Sequence, residues 1–582
     1  MTETGRLEGC ILAASGAKKP ELVLKNARIV NVFTETVEEG DIAIENGMIV
    51  GIGAYEGNEE RDLKGMYVCP GFIDGHIHME SSMVSPKEFE RAVLPHGTTA
   101  VITDPHEIAN VAGESGIQYM MKATKDLNLD VFFMLPSCVP STDLDEAGAV
   151  LKNEHLKSFY ENDRVLGLAE MMNGFGVIHS DRDCLEKLKE AGSRHKKIDG
   201  HAPMMTGKEL NAYITAGIRS DHECSDMAEA REKLARGQWI MVRQGTAAKN
   251  LNALIGVFEA PFYQRAMLVT DDKHPGDLIS AGHIDAIIRQ AVRLGADPIH
   301  AVKMGSFNTA QYFGLENKGA VAPGYDADLV VLDSLQSFQA VQVYKAGKLA
   351  ADHGILKVET EDAVVWPDEI MQRVFHSFHM KPVTCADLKL EIKGKKQRVI
   401  DLTAGELITR ERIVEWKEIP GYAPGVDTER DIVKMAVFER HKNTGHVGLG
   451  FLGKYGLKKG AVATSIGHDS HNLVVVGVRE EDMVLAANQV LKNQGGLAIA
   501  LDGSIAAELP LPIAGLMTDL PAEMVEEKLA EMKGLLRKLG ISEEIDPFMT
   551  LAFVSLPVIP DIRLNTYGII DVPNHQIVEA VF

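Results

Sequence analysis

Six cysteines in 582 residues, with no C-x-x-C pair among them, exclude both a disulfide framework and a cysteine-built zinc site. Their scatter (Cys10, Cys69, Cys138, Cys184, Cys224, Cys385) suits reduced thiols in a cytoplasmic protein. No run approaches the roughly 18 uninterrupted apolar residues of a membrane-spanning helix. The opening residues, Met1 to Gly5, lack the basic region followed by an apolar run that marks a secretory signal, so none is expected. Positive charge is also in deficit, the net charge being −23. Phosphate binding runs on excess lysine and arginine, so neither nucleic acid nor an anionic membrane surface is an expected partner. Small uncharged or cationic substrates remain open. Neither an internal repeat nor a low-complexity segment is present.

What the chain does contain is ordinary globular composition, 45% apolar and 25% charged, over a length that needs two to four domains. Residues 21–31 and 41–51 alternate in the manner of strands and carry turn residues. A matching strand-rich stretch appears only later, at 324–333 and 341–347. Between them, strand-like runs end near His78, Glu107, Pro140, Asn173, Pro203, Ser225, Thr246 and His274, mostly separated by amphipathic stretches. That count over roughly 250 residues is the size of a (β/α)₈ barrel. The expectation is an α/β protein with a TIM-type barrel over residues 67–318. A small β domain is split between 1–66 and 319–370, and an additional C-terminal α/β domain occupies 371–582.

A barrel of this type carries its active site at the carboxyl ends of its strands, so the residues there are the ones to read. Strand one ends His76-Ile77-His78, and a period of 2 puts both imidazoles on one side, where they can bite one divalent ion. Strand four ends at Glu170, whose two carboxylate oxygens could bridge a pair of metals. His201 and His222, at the ends of strands five and six, are natural ligands of a second ion. Asp271, ending strand eight, is placed to ligate a metal and to take a proton from water, whose pKa a metal lowers to about 7. On strand two, Asp104, His106 and Glu107 sit where substrate must lie and could move protons or bind a polar ring; Pro105 equally forces a turn that could be structural alone. Glu80, Ser81 and Ser82 are secondary substrate-site candidates, and Arg243 and Gln244 could contact substrate or lie at the surface. The run Gly467-His-Asp-Ser-His471 invites a metal reading, but its spacing is short and no partner set is visible, so it is read as a loop.

Pro70-Gly-Phe-Ile-Asp-Gly-His-Ile-His78 resembles the strand-one signature of the amidohydrolase superfamily. Within it, His78-Met-Glu-Ser-Ser82, Asp104-Pro-His-Glu-Ile-Ala-Asn110, Thr270-Asp-Asp-Lys-His-Pro275 and the long region after the barrel resemble the adenine deaminase family, over nearly the whole chain. Strand four carries Glu170 and no lysine, which fits the carboxylate-bridged subgroup rather than the carbamylated-lysine one. The pair Asp271-Asp272 also looks like the Asp-Asp pair of adenosine deaminase, an analogy that has Asp272 hold a purine nitrogen.

The resemblance implies a purine-salvage hydrolase, cytoplasmic and homodimeric, holding two divalent ions, Mn²⁺ before Fe²⁺ or Zn²⁺. His76, His78 and Asp271 would hold one ion, His201 and His222 the other, with Glu170 bridging. A hydroxide held between them attacks C6 of adenine, giving hypoxanthine and ammonia. Asp271 carries the proton, His106 or Glu107 serves the ring, and Asp104, Asp272 and Glu80 contact the base. The rival activity is hydrolysis of a cyclic amide or N-acyl group; a non-catalytic scaffold is disfavoured because no ligand is missing.

Overall fold

The computed structural model describes residues 3–246, 248–360, 364–403 and 407–582. Its centre is a ring of short parallel strands. Phe72–His78, Thr98–Thr103, Asp130–Leu135, Val165–Met171 and Lys197–Gly200 form one sheet, and Ser220–Asp221, Trp239–Arg243 and Ala266–Val269 another. The two-residue extension Asp271–Asp272 pairs in parallel with strand one, Asp271 opposite Ile77 and Asp272 opposite His78, which returns the eighth strand to the first and closes the barrel. Ile73, Ala100, Ile102, Met134, Ala169, Met241, Met267 and Val269 fill its lower interior with apolar side chains. This packed plug leaves only the carboxyl ends of the strands for polar groups. The intervening helices, among them Glu114–Ala123, Arg182–Ser193, Met227–Ala235 and Ile284–Arg293, surround the ring, as the alternating sequence pattern requires.

Strand one departs from strict alternation. Its register with strand two shifts between Asp74 and Ile77, so Ile73 packs inside while further along His76 and His78 turn to the site. Gly75 sits at the shift because a Cβ there would come within 2.9 Å of Met267 Sδ. Asp74 is fully buried behind the site, accepting from Thr270 N at 3.2 Å and lying 3.0 Å from His283 Nε2.

Chain on either side of the barrel shares a nine-stranded sheet, in which Leu329–Leu332 pairs antiparallel with Tyr67–Pro70, Val330 opposite Cys69. The C-terminal part is built on an eight-stranded mixed sheet running from Thr409–Glu415 to Ser504–Pro510, with helix Glu480–Lys492 packed on it. It docks on the barrel mouth. Ser85 N donates to Thr518 O at 2.8 Å and Thr518 N to Met83 O at 3.0 Å, continuing backbone pairing across the junction. One apolar core runs through both parts, from Ile77, Met79 and Ile108 to Val433, Leu516 and Met517. Burial shared across a junction on this scale fixes the two parts as one body. Among the described residues no helix is long and apolar enough to cross a membrane.

Candidate active site

Five side chains from four strand ends gather at a sixth, the carboxylate of Glu170 at the end of strand four. Glu170, 3% exposed, divides its two oxygens between two sets of imidazoles. Oε1 lies 3.2 Å from His78 Nε2 and 3.7 Å from His76 Nε2, while Oε2 lies 2.8 Å from His201 Nδ1 and 3.2 Å from His222 Nε2. Asp271 closes the first set, its Oδ1 being 3.1 Å from His78 Nε2 and 3.9 Å from His76 Nε2. Burial opposes charge on Glu170, but His222, His201 and His78 together hold its carboxyl well below the usual range. Asp271 is a non-glycine residue at φ +60°, a conformation costing of order 1–3 kcal/mol that surrounding structure must enforce. Its other oxygen accepts from Arg243 Nη1 at 2.7 Å, and Arg243 also grips both oxygens of Glu223. Arg243 is thus buried behind the site and not at the surface.

These donors fit divalent metal. His76 Nε2 is buried and has no hydrogen-bond partner, an expensive omission unless something else takes its lone pair. The donor atoms of His76, His78 and Asp271 lie within 4.8 Å of one another, as do those of His76, Glu170 and His222. Imidazole and carboxylate without thiolate suit Zn²⁺, Fe²⁺ and Mn²⁺ alike.

The strand-two candidates separate. Asp104 accepts at 3.0 Å from His106 Nδ1, and the His106 ring lies 4.4 Å from that of His78, so both stand against the imidazole–carboxylate cluster. Glu107, one residue on in helix His106–Ala112, instead faces a neighbouring cavity of about 510 Å³, opening included. Glu80, Ser81 and Asp272 share its polar side; Ile466, Leu497, Phe548 and Phe553 give it apolar walls. Burial pushes the Glu80 carboxyl up to about 7, and one of its oxygens has no partner while the other accepts from Ile108 N at 3.1 Å. Ser81 Oγ donates to Asp272 and fixes its carboxylate.

Two family models account for most of the chain. The amidohydrolase family matches residues 67–350, and the adenine deaminase C-terminal domain matches residues 406–576. The chain is 45% identical to adenine deaminase 2 of Carboxydothermus hydrogenoformans, over 98% of this chain and 99% of the relative. It is 45% identical to the adenine deaminase of Clostridium acetobutylicum with the same coverage, and 46% identical to that of Kosmotoga olearia over 98% of each. The chain belongs to the adenine deaminase family of amidohydrolases.

In this family member the C-terminal domain forms much of the pocket wall. The Gly467–His471 loop, which its sequence left without partners, meets Glu107: His468 Nδ1 lies 2.7 Å from Oε1, and His471 Nε2 bonds Oε2. The partner was invisible because it stands 364 residues earlier in the chain. Glu223 was passed over in the same way. Its position beside His222 in the strand-six run was the available signal, and its carboxylate lies 3.3 Å from His222 Nε2 and 3.6 Å from His201 Nδ1.

Proposed function

We infer that the protein deaminates adenine hydrolytically, giving hypoxanthine and ammonia. The observation that carries this reading is a metal-competent cluster beside a polar-edged, apolar-walled pocket, in a chain related over its whole length to adenine deaminases. His76, His78 and Asp271 would hold one divalent ion, His201 and His222 the other, and Glu170 both, with Mn²⁺ the first choice and Fe²⁺ or Zn²⁺ alternatives. Such ions, when bound, supply hydroxide at neutral pH and stabilise charge that develops on the substrate.

The remaining work falls to the protein. Apolar walls exclude water and stack on the planar ring, while Glu80, Glu107 and Asp272 meet the polar edge of the base. Asp271 takes the proton of the attacking water and returns it to the amine nitrogen. A bond forms from water oxygen to C6, the C6–N bond breaks, and ammonia leaves. Arg243 keeps Asp271 ionised and aimed for that transfer. The ring nitrogen that gains electron density draws its proton from His106, held between Asp104 and Glu107, and the C6 hydroxyl gives one back as it becomes the carbonyl. Glu107, kept a carboxylate by its histidine partners, accepts an N–H of the base. Free, mostly buried cysteines fit a cytoplasmic salvage enzyme, and a homodimer belongs to the same reading.

Ammonia release from adenine, adenosine, guanine and a cyclic amide by Mn²⁺-loaded protein tests the proposal. Turnover of adenine far above the others is expected. Amide turnover without adenine turnover would refute it.

A further inference from the structure

Both histidines of the Gly467–His471 loop meet one carboxylate across the pocket, that of Glu107. Gly467 N donates to His471 Nδ1 at 3.2 Å, which makes Nδ1 the acceptor and leaves the ring proton on Nε2, so His471 donates to Glu107. His468 donates to the other Glu107 oxygen and stacks on Phe553 with centroids 4.4 Å apart. The loop is braced from behind. Arg440, fully buried, donates to His471 O and, at 2.9 Å, to Ala514 O; His441 Nε2 lies 2.7 Å from Ser470 O. Asn472 Nδ2 donates to Glu146 O at 2.7 Å, tying the loop to the barrel itself. His471 is held at φ +51°, a second non-glycine residue beside Asp271 kept in the left-handed region at this site.

A carboxylate offers about four lone-pair positions. His468 and His471 occupy two on Glu107, and His106 Nε2, 3.3 Å away, faces a third. One position is left for an N–H of a molecule in the cavity. We propose that the C-terminal domain completes the active site through this loop, His468 contacting the base as a wall of the pocket and His471 acting as a positioning residue that aims Glu107 at it. The proposal rests on the adenine reading above and adds that the barrel alone is not a working enzyme.

The test uses the full chain carrying His471→Leu, His471→Gln, His468→Leu or His468→Gln. Turnover is measured with Mn²⁺ loaded, adenine binding by calorimetry on metal-free protein, and metal content after dialysis. A hydrogen bond to a charged group is worth about one to two factors of ten. His471→Leu should therefore lower kcat about 10- to 100-fold with KM and metal content within about threefold of the parent, and His471→Gln, which keeps a donor, should recover most of it. His468→Leu should weaken adenine binding about tenfold. If His471→Leu does not fold, His471→Asn, polar but too short to reach Glu107, takes its place with the same expected loss. Parent-like kcat in the Leu or Asn variant, or equal losses in the Gln and Leu variants, would overturn the loop's role. A parent that releases no ammonia from adenine would instead overturn the substrate assignment.

Discussion

Replacing Glu170 with glutamine changes almost no volume and removes the one anion around which the site is arranged. Its oxygens lie within 3.7 Å of His76, His78, His106, His201 and His222, and it is all but inaccessible to solvent. An amide presents an oxygen to one set of imidazoles and an NH₂ to the other, so it cannot accept from both or neutralise either ion. Removing one member of a buried charge set costs about 3–5 kcal/mol. At about 1.4 kcal/mol per factor of ten, the affinity for the two ions falls by roughly two to nearly four orders of magnitude. Mn²⁺-loaded parent and Glu170→Gln are dialysed side by side, and metal per chain is measured by mass spectrometry together with ammonia release and circular dichroism. The variant should keep its fold, lose at least one ion and lose turnover. Retention of both ions with turnover lost would assign Glu170 to proton transfer and not to metal holding. Retention of both ions and turnover would remove it from the centre.

Two further outcomes follow from groups next to the site. Lys233, fully buried, donates to Asp221 Oδ2 at 2.9 Å, Glu229 Oε1 at 2.7 Å and Ala202 O at 2.6 Å, immediately behind His222 and His201. Lys233→Met leaves two buried carboxylates uncompensated and should cost about 3–5 kcal/mol in thermal melting, with weaker metal retention; an unchanged melting temperature would refute the argument. At His468, burial opposes the charge, but the Glu107 carboxylate outweighs it and pushes the imidazole up to about 9, above an unfolded value of about 6.5. The stability margin of the parent over His468→Gln should therefore be fully present below about pH 6.5, shrink as pH rises, and vanish above about 9. Melting of metal-loaded protein across that range checks it, and a margin constant with pH is the contrary result.

How much of the site could be read along the chain depended on where each residue's partner lay. His76, His78, Glu170, His201, His222 and Asp271 end strands one, four, five, six and eight of one repeating pattern, so local periodicity singled out all six, and the structure brings them together around Glu170. Even there, the inward turn of both strand-one histidines depends on a register shift at Asp74–Ile77 that alternation alone does not reveal. Arg243 was ambiguous because nothing in its neighbourhood along the chain says that it is buried between Glu223 and Asp271. The small β sheet was legible from its alternation, although its two halves are separated by the whole barrel.

The Gly467–His471 loop marks the limit of that reasoning, and the reason is physical. His468 and His471, three residues apart in a loop with no strand to aim them, carry no meaning until a third group is placed against them, and Glu107 reaches them only because a shared apolar core seats the C-terminal sheet on the barrel mouth. Barrel strand ends are already positioned by their own hydrogen-bond ladder, so they need no second domain to hold the ligand set. A base must also be enclosed, and the barrel supplies chiefly the polar side of the enclosure, Glu80, Ser81, Glu107 and Asp272, with Met83 beside them. The apolar walls, Ile466, Leu497, Phe548 and Phe553, come from the C-terminal part. On the proposed assignment the labour is divided: periodic structure would place the metal ligands, and tertiary docking would shape the substrate pocket. Substitutions at the junction, far from any ligand atom, should therefore reach adenine binding before they reach metal content.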